Sequence, residues 1–208
     1  MQRRHRLLAL GFALSMIAPI AHAVLITTTA PLSGANENPP TATPGTGTTF
    51  VILDTTTHQL RVQTVFSGLV ANTTAAHIHC CTAPPGNVGV ATTLPAFAGF
   101  PLGVTSGSLD QTYDTTQAST WNPAYITNNG GTPLSAEAAL ATGLAAGNAY
   151  LNIHTSTYPA GEIRGFLIPQ AAPFSVGANI PTLSEYTMGG LVVLLLAAGW
   201  VMLRRRAG

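Results

Sequence analysis

The sequence predicts an all-β fold, an antiparallel β-sandwich of the immunoglobulin-like or Greek-key type with one short helix, and a transmembrane helix at its C-terminal end. Short segments rich in threonine and valine, separated by Gly- and Pro-rich turns, are typical of such sandwiches. Residues 135–146 carry the signals of the helix, since Ser135 can cap its start and Gly147 its end. Residues 186–203 form an apolar run that no charge interrupts.

The strand pattern is clearest at residues 49–53 and 59–66, which a short polar stretch joins as a predicted hairpin. Within the second segment, Leu60, Val62 and Thr64 alternate with polar residues, the period of two expected of a half-buried strand. Further strands are predicted at residues 24–29, 75–79, 88–92, 105–109, 150–155 and 162–167.

The charge of the middle segment excludes one class of partner. Between the two apolar ends the chain has two arginines and no lysine against six acidic residues, which gives a net charge of −4, whereas the whole chain is at +1. Because so little positive charge offers no surface for a phosphate backbone, we expect no nucleic-acid partner. A middle segment of about 150 residues is long enough for one domain with its own core.

The N-terminal residues 1–23 are typical of a secretory signal peptide. Arginines at positions 3, 4 and 6 precede an apolar run, and Ala21, His22 and Ala23 form a small-residue cleavage pattern. We expect signal peptidase to cut between Ala23 and Val24, so that the mature chain begins at Val24. A retained membrane anchor is the alternative.

The C-terminal segment 186–203 is predicted to span the inner membrane. As a helix it would be about 27 Å long, close to the ~30 Å hydrocarbon core of a bilayer. Arg204, Arg205 and Arg206 follow it, and the bias of positive residues toward the cytoplasm places the preceding chain in the periplasm. Residues 169–179, rich in Pro, Gly and Ala, are predicted to link the domain to this helix. A buried core helix is the alternative for the apolar segment.

The tail resembles a known sorting signal. Ile180, Pro181, Thr182 and Leu183 form a short motif that precedes the apolar span and the terminal arginines. In this order the three parts of residues 180–208 resemble the IPTL-CTERM signal of Gram-negative bacteria. The resemblance implies that an exosortase-type membrane enzyme recognises the tail and that the protein is destined for the cell surface or the extracellular space.

The middle of the chain also resembles a known family, in blocks that occur in a characteristic order and spacing. The blocks are residues 32–40 (LSGANENPP), 67–69 (SGL), 76–79 (AHIH), 150–155 (YLNIHT) and 159–165 (PAGEIRG). Together they resemble the CHRD domain, which is named after chordin, over nearly all of residues 24–168. The resemblance implies an exported domain but no particular activity. The first functional hypothesis is therefore a non-enzymatic component of the cell surface or extracellular matrix.

A metal-binding module is the alternative hypothesis, and it depends on histidines. On a strand, His77 and His79 project from one face, as two ligands of one ion do. If a hairpin pairs His154 with Glu162, the second strand adds those two residues to the candidate ligands. Neutral imidazoles with a carboxylate suit Zn²⁺ or Cu²⁺. The ordinary alternative is that these histidines hydrogen-bond to neighbouring strands and loops, and that Glu162 forms an ordinary ion pair with Arg164.

The His-x-His pair is also similar to that of copper-zinc superoxide dismutases, which place such a pair on a strand of a Greek-key sandwich. Redox activity is therefore a third hypothesis. The pair by itself is common in proteins, and the further ligands and charged substrate funnel of those enzymes are missing from this sequence.

Cys80 and Cys81, the two cysteines of the chain, directly follow the His-x-His pair. Neighbouring cysteines rarely bond to each other, because the usual Cα separation across a disulfide exceeds the separation of adjacent residues. Three outcomes stay open in an oxidising periplasm: a strained vicinal disulfide, intermolecular disulfides, or thiolates that join His77 and His79 at a soft-metal site.

Overall fold

The computed structural model describes residues 24–170, which contain eight strands and two α-helices. The strands are β1 (Leu25–Ser33), β2 (Thr46–Asp54), β3 (Gln59–Ser67), β4 (Thr73–Cys80), β5 (Gly107–Asp114), β6 (Ala149–Thr155), β7 (Ile163–Phe166) and β8 (Ile168–Pro169). The helices are α1 (Pro123–Asn128) and α2 (Pro133–Ala145). The prediction of a mostly β, antiparallel fold is confirmed.

Both ends of the chain lie outside the described residues. The predicted signal peptide, the sorting motif and the predicted membrane helix 186–203 all fall there. Within residues 24–170, neither helix has the length and apolar character needed to cross a bilayer.

One antiparallel sheet contains all the strands, in the order β4-β6-β7-β1-β2-β3-β5, with β8 paired to β1. The sheet curls, because the segment before β5 hydrogen-bonds to the start of β4. The backbone N–H of Thr73 donates to the carbonyl of Val104 at 2.8 Å, and that of Gly103 donates to the carbonyl of Thr73 at 2.9 Å. The two edge strands of the sheet therefore approach each other at one end.

Period-two alternation directs the core side chains of the sheet inward. In β3, Leu60, Val62 and Phe66 are buried while Arg61 and Val65 face solvent, which confirms the alternation predicted from the sequence. Helix α2 adds Leu140 and Leu144 to the same core. The largest fully buried apolar side chains are Trp121, Phe66, Leu32, Leu53, Leu60, Ile78, Leu140, Leu144, Leu151, Ile153 and Ile163.

The predicted helix at 135–146 is confirmed as α2, but it begins earlier than its capping signal suggested. Thr132 is the N-cap, and its hydroxyl accepts from the backbone N–H of Ser135, which lies within the first turn. The preceding helix α1 was not predicted. It consists of six residues that start after Asn122, whose side chain accepts from the backbone of Ala124.

Two of the weaker strand predictions need correction. Residues 88–92 form no strand; Val90 and Thr92 make isolated bridges to His79 and Trp121. Gly89 within this segment and the Pro- and Gly-rich residues before it interrupt a regular ladder. The strand predicted at 105–109 is β5, which starts later and continues through the polar residues that follow.

A second buried layer lies on the outer face of β4 and β6, and it positions the candidate site. Every residue of β6 is buried, although alternate side chains point to opposite faces. Leu151 and Ile153 join the core, whereas Tyr150, Asn152 and His154 lie on the other face. The loops around residues 36, 85–88 and 159 contact this face through hydrogen bonds to Arg164, His79 and His154.

Candidate metal centre

Strand pairing brings three of the predicted ligands to one place. His77 and His79 project from the same face of β4, which pairs with β6 so that Asn152 lies opposite His77 and Tyr150 opposite His79. His154 is next on the same face of β6, opposite Ala75. The three histidines are therefore neighbours across two adjacent strands.

The imidazole nitrogens are close enough to share one ion. One nitrogen from each of His77, His79 and His154 lies within 4.8 Å of the other two. The Nδ1 of His77 is 3.2 Å from the Nε2 of His79, and the rings of His77 and His154 have their centroids 4.7 Å apart. Within residues 24–170, this is the one group of three or more such ligand residues.

Backbone carbonyls orient two of the rings. The Nδ1 of His79 lies 2.7 Å from the carbonyl oxygen of Val88, and the Nδ1 of His154 lies 3.0 Å from that of Pro159. Each Nδ1 must carry the proton that it donates, so each Nε2 presents a lone pair. Hydrogen bonds of this kind hold metal-ligating histidines in place in known sites. Tyr150 adds a parallel stack on His79, with ring centroids 4.6 Å apart.

The Nε2 of His154 is the clearest sign of a ligand. It is buried and has no hydrogen-bond partner, although the other ring nitrogen is satisfied. The Nε2 of His79 accepts from the Nδ1 of His77, because the proton of His79 is on its Nδ1, which donates to the carbonyl of Val88. If a metal ion took the place of the proton between His77 and His79, His77 would carry its proton on Nε2 instead. One nitrogen lone pair from each of the three histidines would then face the ion.

Burial keeps all three imidazoles neutral at physiological pH. The loss of hydration, together with the neighbouring His154 and His79, lowers the pKa of His77 to about 3. Burial also lowers the pKa of His79 to about 4, against the hydrogen bond to Val88, which raises it. The pKa of His154 is lowered as well, because burial lowers it more than the hydrogen bond to the carbonyl of Pro159 raises it. Neutral imidazole is the form that binds a metal ion.

The spacing suits a first-row transition metal. Metal–nitrogen bonds of about 2.0–2.1 Å in tetrahedral geometry separate two ligand nitrogens by about 3.3 Å. The pair formed by His77 and His79 already has this separation, at 3.2 Å. The remaining nitrogen lies within 4.8 Å, so an inward movement of His154 would complete a three-histidine site.

Comparison with known protein families bears on the whole domain. The family model for the CHRD domain matches residues 28–167, which is more than half of the chain. The chain belongs to the CHRD-domain family. The resemblance seen in the sequence blocks is thus confirmed. A search of curated proteins and a search of solved structures each find no significant match.

Glu162, the fourth predicted ligand, is not brought to the histidines of the CHRD domain. Its carboxylate accepts from the hydroxyls of Thr43 and Thr155, both at 2.6 Å, and from the backbone N–H of Val70 at 2.7 Å. The pairing of β6 and β7 ends at Ile153 and Ile163. The backbone N–H of Glu162 also donates to the carbonyl of Ile153, so the assumed pairing of His154 with Glu162 is not formed. Glu162 precedes β7, and its hydrogen bonds direct its side chain to Thr43 and Thr155 rather than to the histidine group.

The cysteines of the CHRD domain form a vicinal disulfide, the first of the three outcomes left open. Cys80 follows His79 on β4, so its side chain points to the core face, away from the imidazoles. The two sulfur atoms pack against Gly143 of α2, and the Sγ of Cys81 lies 3.6 Å from the carbonyl oxygen of Ala139. The cysteines do not join the histidine group.

Two charged residues of the buried layer were not identified as a pair from the sequence. Arg164 on β7 lies opposite Asn152 and is 1 % exposed. Its Nε is 3.8 Å from the Oε2 of Glu37, not from Glu162 as sequence proximity suggested. Burial raises the pKa of Glu37 to about 7, although the positive charge of Arg164 lowers it. Glu37 lies in the LSGANENPP block, so the sequence marks it as part of the family pattern but does not indicate which residue it contacts.

Proposed function

We propose that the CHRD domain of this protein binds one transition-metal ion through His77, His79 and His154. The observation that carries the proposal is the convergence of three neutral, buried imidazoles, with one lone pair that has no partner in the protein. A buried polar atom without a partner costs about 1–3 kcal/mol, so an ion that accepts this lone pair would relieve the cost.

The donor set points to Cu²⁺ or Zn²⁺. Imidazole nitrogen suits both ions, and among divalent first-row metals nitrogen sites generally bind Cu²⁺ most tightly. Three protein ligands leave room for a fourth from solvent. The exposed fractions of His77, His79 and His154 are only 5 %, 8 % and 7 %. Such restricted access favours holding an ion over rapid turnover of a substrate, so we propose a binding module rather than an enzyme.

We further propose that the protein is exported and tethered at the inner membrane before it reaches the cell surface. The support is the sequence pattern of its ends: a signal peptide at 1–23, a Pro-, Gly- and Ala-rich linker before residue 180, and a sorting signal at 180–208. The linker predicted at 169–179 starts later than expected, because Pro169 belongs to β8 and Gln170 hydrogen-bonds to Thr27. Signal peptidase and an exosortase-like enzyme would be the processing partners. The finer fold assignment, an immunoglobulin-like Greek-key sandwich, is also a proposal, supported by the crossovers from β3 to β4 and from β5 to β6.

Metal content tests the binding proposal. The purified protein, exposed to excess Zn²⁺ or Cu²⁺ and then dialysed, should retain about one ion per chain by elemental analysis. His79→Ala and His154→Ala should each lose that ion, because only two of the three imidazole ligands would remain to hold it. At a free Zn²⁺ concentration of 100 times Kd, the ion should stabilise the wild type by about 2.7 kcal/mol and the variants by much less.

His58→Ala is the matched control for these variants. His58 is the remaining histidine of residues 24–170, and it lies in the turn between β2 and β3. Its Nδ1 is 3.0 Å from a carboxylate oxygen of Glu137, outside the histidine group. This variant should keep its ion. Equal retention by His58→Ala and by His154→Ala would overturn the site, and a wild type that holds no ion would overturn the binding function itself.

Mass spectrometry of the envelope fraction tests the processing proposal. The mature N-terminus should be Val24, and peptides that contain Trp200 should be absent from cells with an active sorting enzyme. Replacing residues 180–183 with alanines should leave Trp200 in the protein. Full-length, uncleaved protein found soluble in the cytosol would contradict the export of this chain.

A further inference from the structure

Three buried polar side-chain atoms in residues 24–170 have no hydrogen-bond partner, and all three lie near the hairpin of β6 and β7. They are the Nε2 of His154, the Oδ1 of Asn152 and the Oε1 of Glu37. The first belongs to the proposed metal centre. The other two are hydrogen-bond acceptors that the metal centre does not explain, and such atoms are uncommon in native proteins.

The two remaining oxygens flank one small space beside Gly161. A β-carbon added to Gly161 would lie 2.6 Å from the Oδ1 of Asn152 and 2.8 Å from the Oε1 of Glu37. Both side chains are buried, with Asn152 at 2 % and Glu37 at 7 % exposed. The Nδ2 of Asn152 faces this space as well, but the Oδ1 of Asn152 has no donor. A proton on Glu37 would supply one.

The other candidate donor, Arg164, is already engaged. Its guanidinium donates to the carbonyl oxygens of Asn36 at 2.6 Å and Pro85 at 2.9 Å, and to the Oδ1 of Asn87 at 2.6 Å. Its Nε is 3.8 Å from Glu37, which is too far for a hydrogen bond. Burial raises the pKa of the Glu37 carboxyl to about 7, so the neutral acid is well populated near physiological pH.

A metal ion would change the charge balance around Glu37. Three neutral imidazoles leave the two positive charges of a divalent ion uncompensated in a buried layer that already contains Arg164. Glu162 is not available as a counter-charge, because its carboxylate is held by three hydrogen bonds elsewhere. Asn152 connects the two regions, since it lies opposite His77 on one side and Arg164 on the other.

We propose that Glu37 is the counter-ion of the metal centre and releases its proton to solvent when the ion binds. The inference rests on the proposed function. In the exchange, the neutral Glu37 carboxyl and a divalent ion become the bound ion, the Glu37 carboxylate and one free proton, so charge and atoms balance. The proton has a short route outward, because Glu37 also lines a cleft with Tyr158, Pro159 and Gly161.

Few other groups can contribute to this exchange. Arg164 is the charged group that faces Glu37 across the buried layer. Among the residues that line the two clefts flanking Glu37, Tyr158 is the one other titratable side chain. Because the proton and the ion compete, the apparent affinity for the metal should rise about tenfold per pH unit while Glu37 is protonated and level off above that range.

Calorimetry with Zn²⁺ tests the proposal. Titrations of the full-length protein at pH 6, in two buffers that differ in ionisation enthalpy, give the number of protons released per ion. Glu37→Gln keeps a donor for Asn152 and an acceptor, but it has no proton to lose. The wild type should release about one proton more per Zn²⁺ than Glu37→Gln, and the variant should bind Zn²⁺ at least tenfold more weakly at pH 8.

The outcomes separate this inference from the proposed function. Failure of the wild type to bind Zn²⁺ would remove the metal centre itself. Tight Zn²⁺ binding with the same proton release in both proteins would overturn only the role of Glu37. If Glu37→Gln does not fold, carbon NMR of the wild-type glutamate carboxyls decides: the Glu37 resonance should move to its ionised position on addition of Zn²⁺ at pH 6, and an unmoved resonance would overturn the inference.

Discussion

Replacing Gly143 with alanine should lower the free energy of unfolding by about 2–3 kcal/mol, the cost of overfilling a packed core. A β-carbon at this position of α2 would overlap the Sγ atoms of Cys80 and Cys81, and it would lie 3.3 Å from the Cβ of Cys81. In an open helix the same substitution stabilises by about 1 kcal/mol. The sign of the change therefore reports the contact between the helix and the disulfide, and urea denaturation measures it.

A double-mutant cycle assigns the effect to the sulfur atoms. In a Cys80→Ala, Cys81→Ala background the obstruction is gone, so Gly143→Ala should become stabilising. Ala138→Gly, at an exposed position of the same helix, is the control and should cost about 1 kcal/mol in both backgrounds. If Gly143→Ala stabilises both backgrounds equally, the proposed packing of α2 on the disulfide is wrong.

The local parts of the fold could be predicted because they depend on neighbouring residues. The alternation in β3 gives its buried face directly, and Gly147, with φ of +69°, ends α2 as its sequence position suggests. Helix α1 was missed because six residues are too few to show a helical period. Residues 88–92 were misassigned because they owe their place to single bridges with His79 and Trp121, which no local pattern reveals.

The candidate site shows the same limit. That His77 and His79 share a face follows from alternation within one strand. That His154 joins them depends on the pairing of β4 with β6, strands that are far apart in sequence. Glu162 was assigned to the group because the strand was assumed to begin at residue 162 with His154 opposite it, whereas β7 begins at Ile163. The pairing of Glu37 with Arg164 is a loop-to-sheet contact, and sequence spacing carries no information about it.

Arg164 should prove one of the most sensitive positions of the domain, since it joins two loops to the sheet that carries the histidines. Its guanidinium donates to Asn36, Pro85 and Asn87, and it lies over the ring of Tyr150 at 4.7 Å. Arg164→Met keeps the length of the side chain but removes these hydrogen bonds and leaves the buried Glu37 without its charged partner. We expect a loss of about 3–5 kcal/mol in the free energy of unfolding, as for other broken buried charge networks.

Arg61→Met is the matched control, because Arg61 is the other arginine of residues 24–170 and forms an exposed pair with Asp110 at 2.8 Å. Exposed ion pairs contribute little to stability, so this variant should remain close to the wild type in urea denaturation. Arg164→Met should also weaken Zn²⁺ binding, since Tyr150 stacks on His79 as well as on the guanidinium. If the two variants were equally stable, the hydrogen bonds of Arg164 would not be what fixes the loops against the outer face of the sheet. Other contacts would then have to keep the buried layer around the histidines in place.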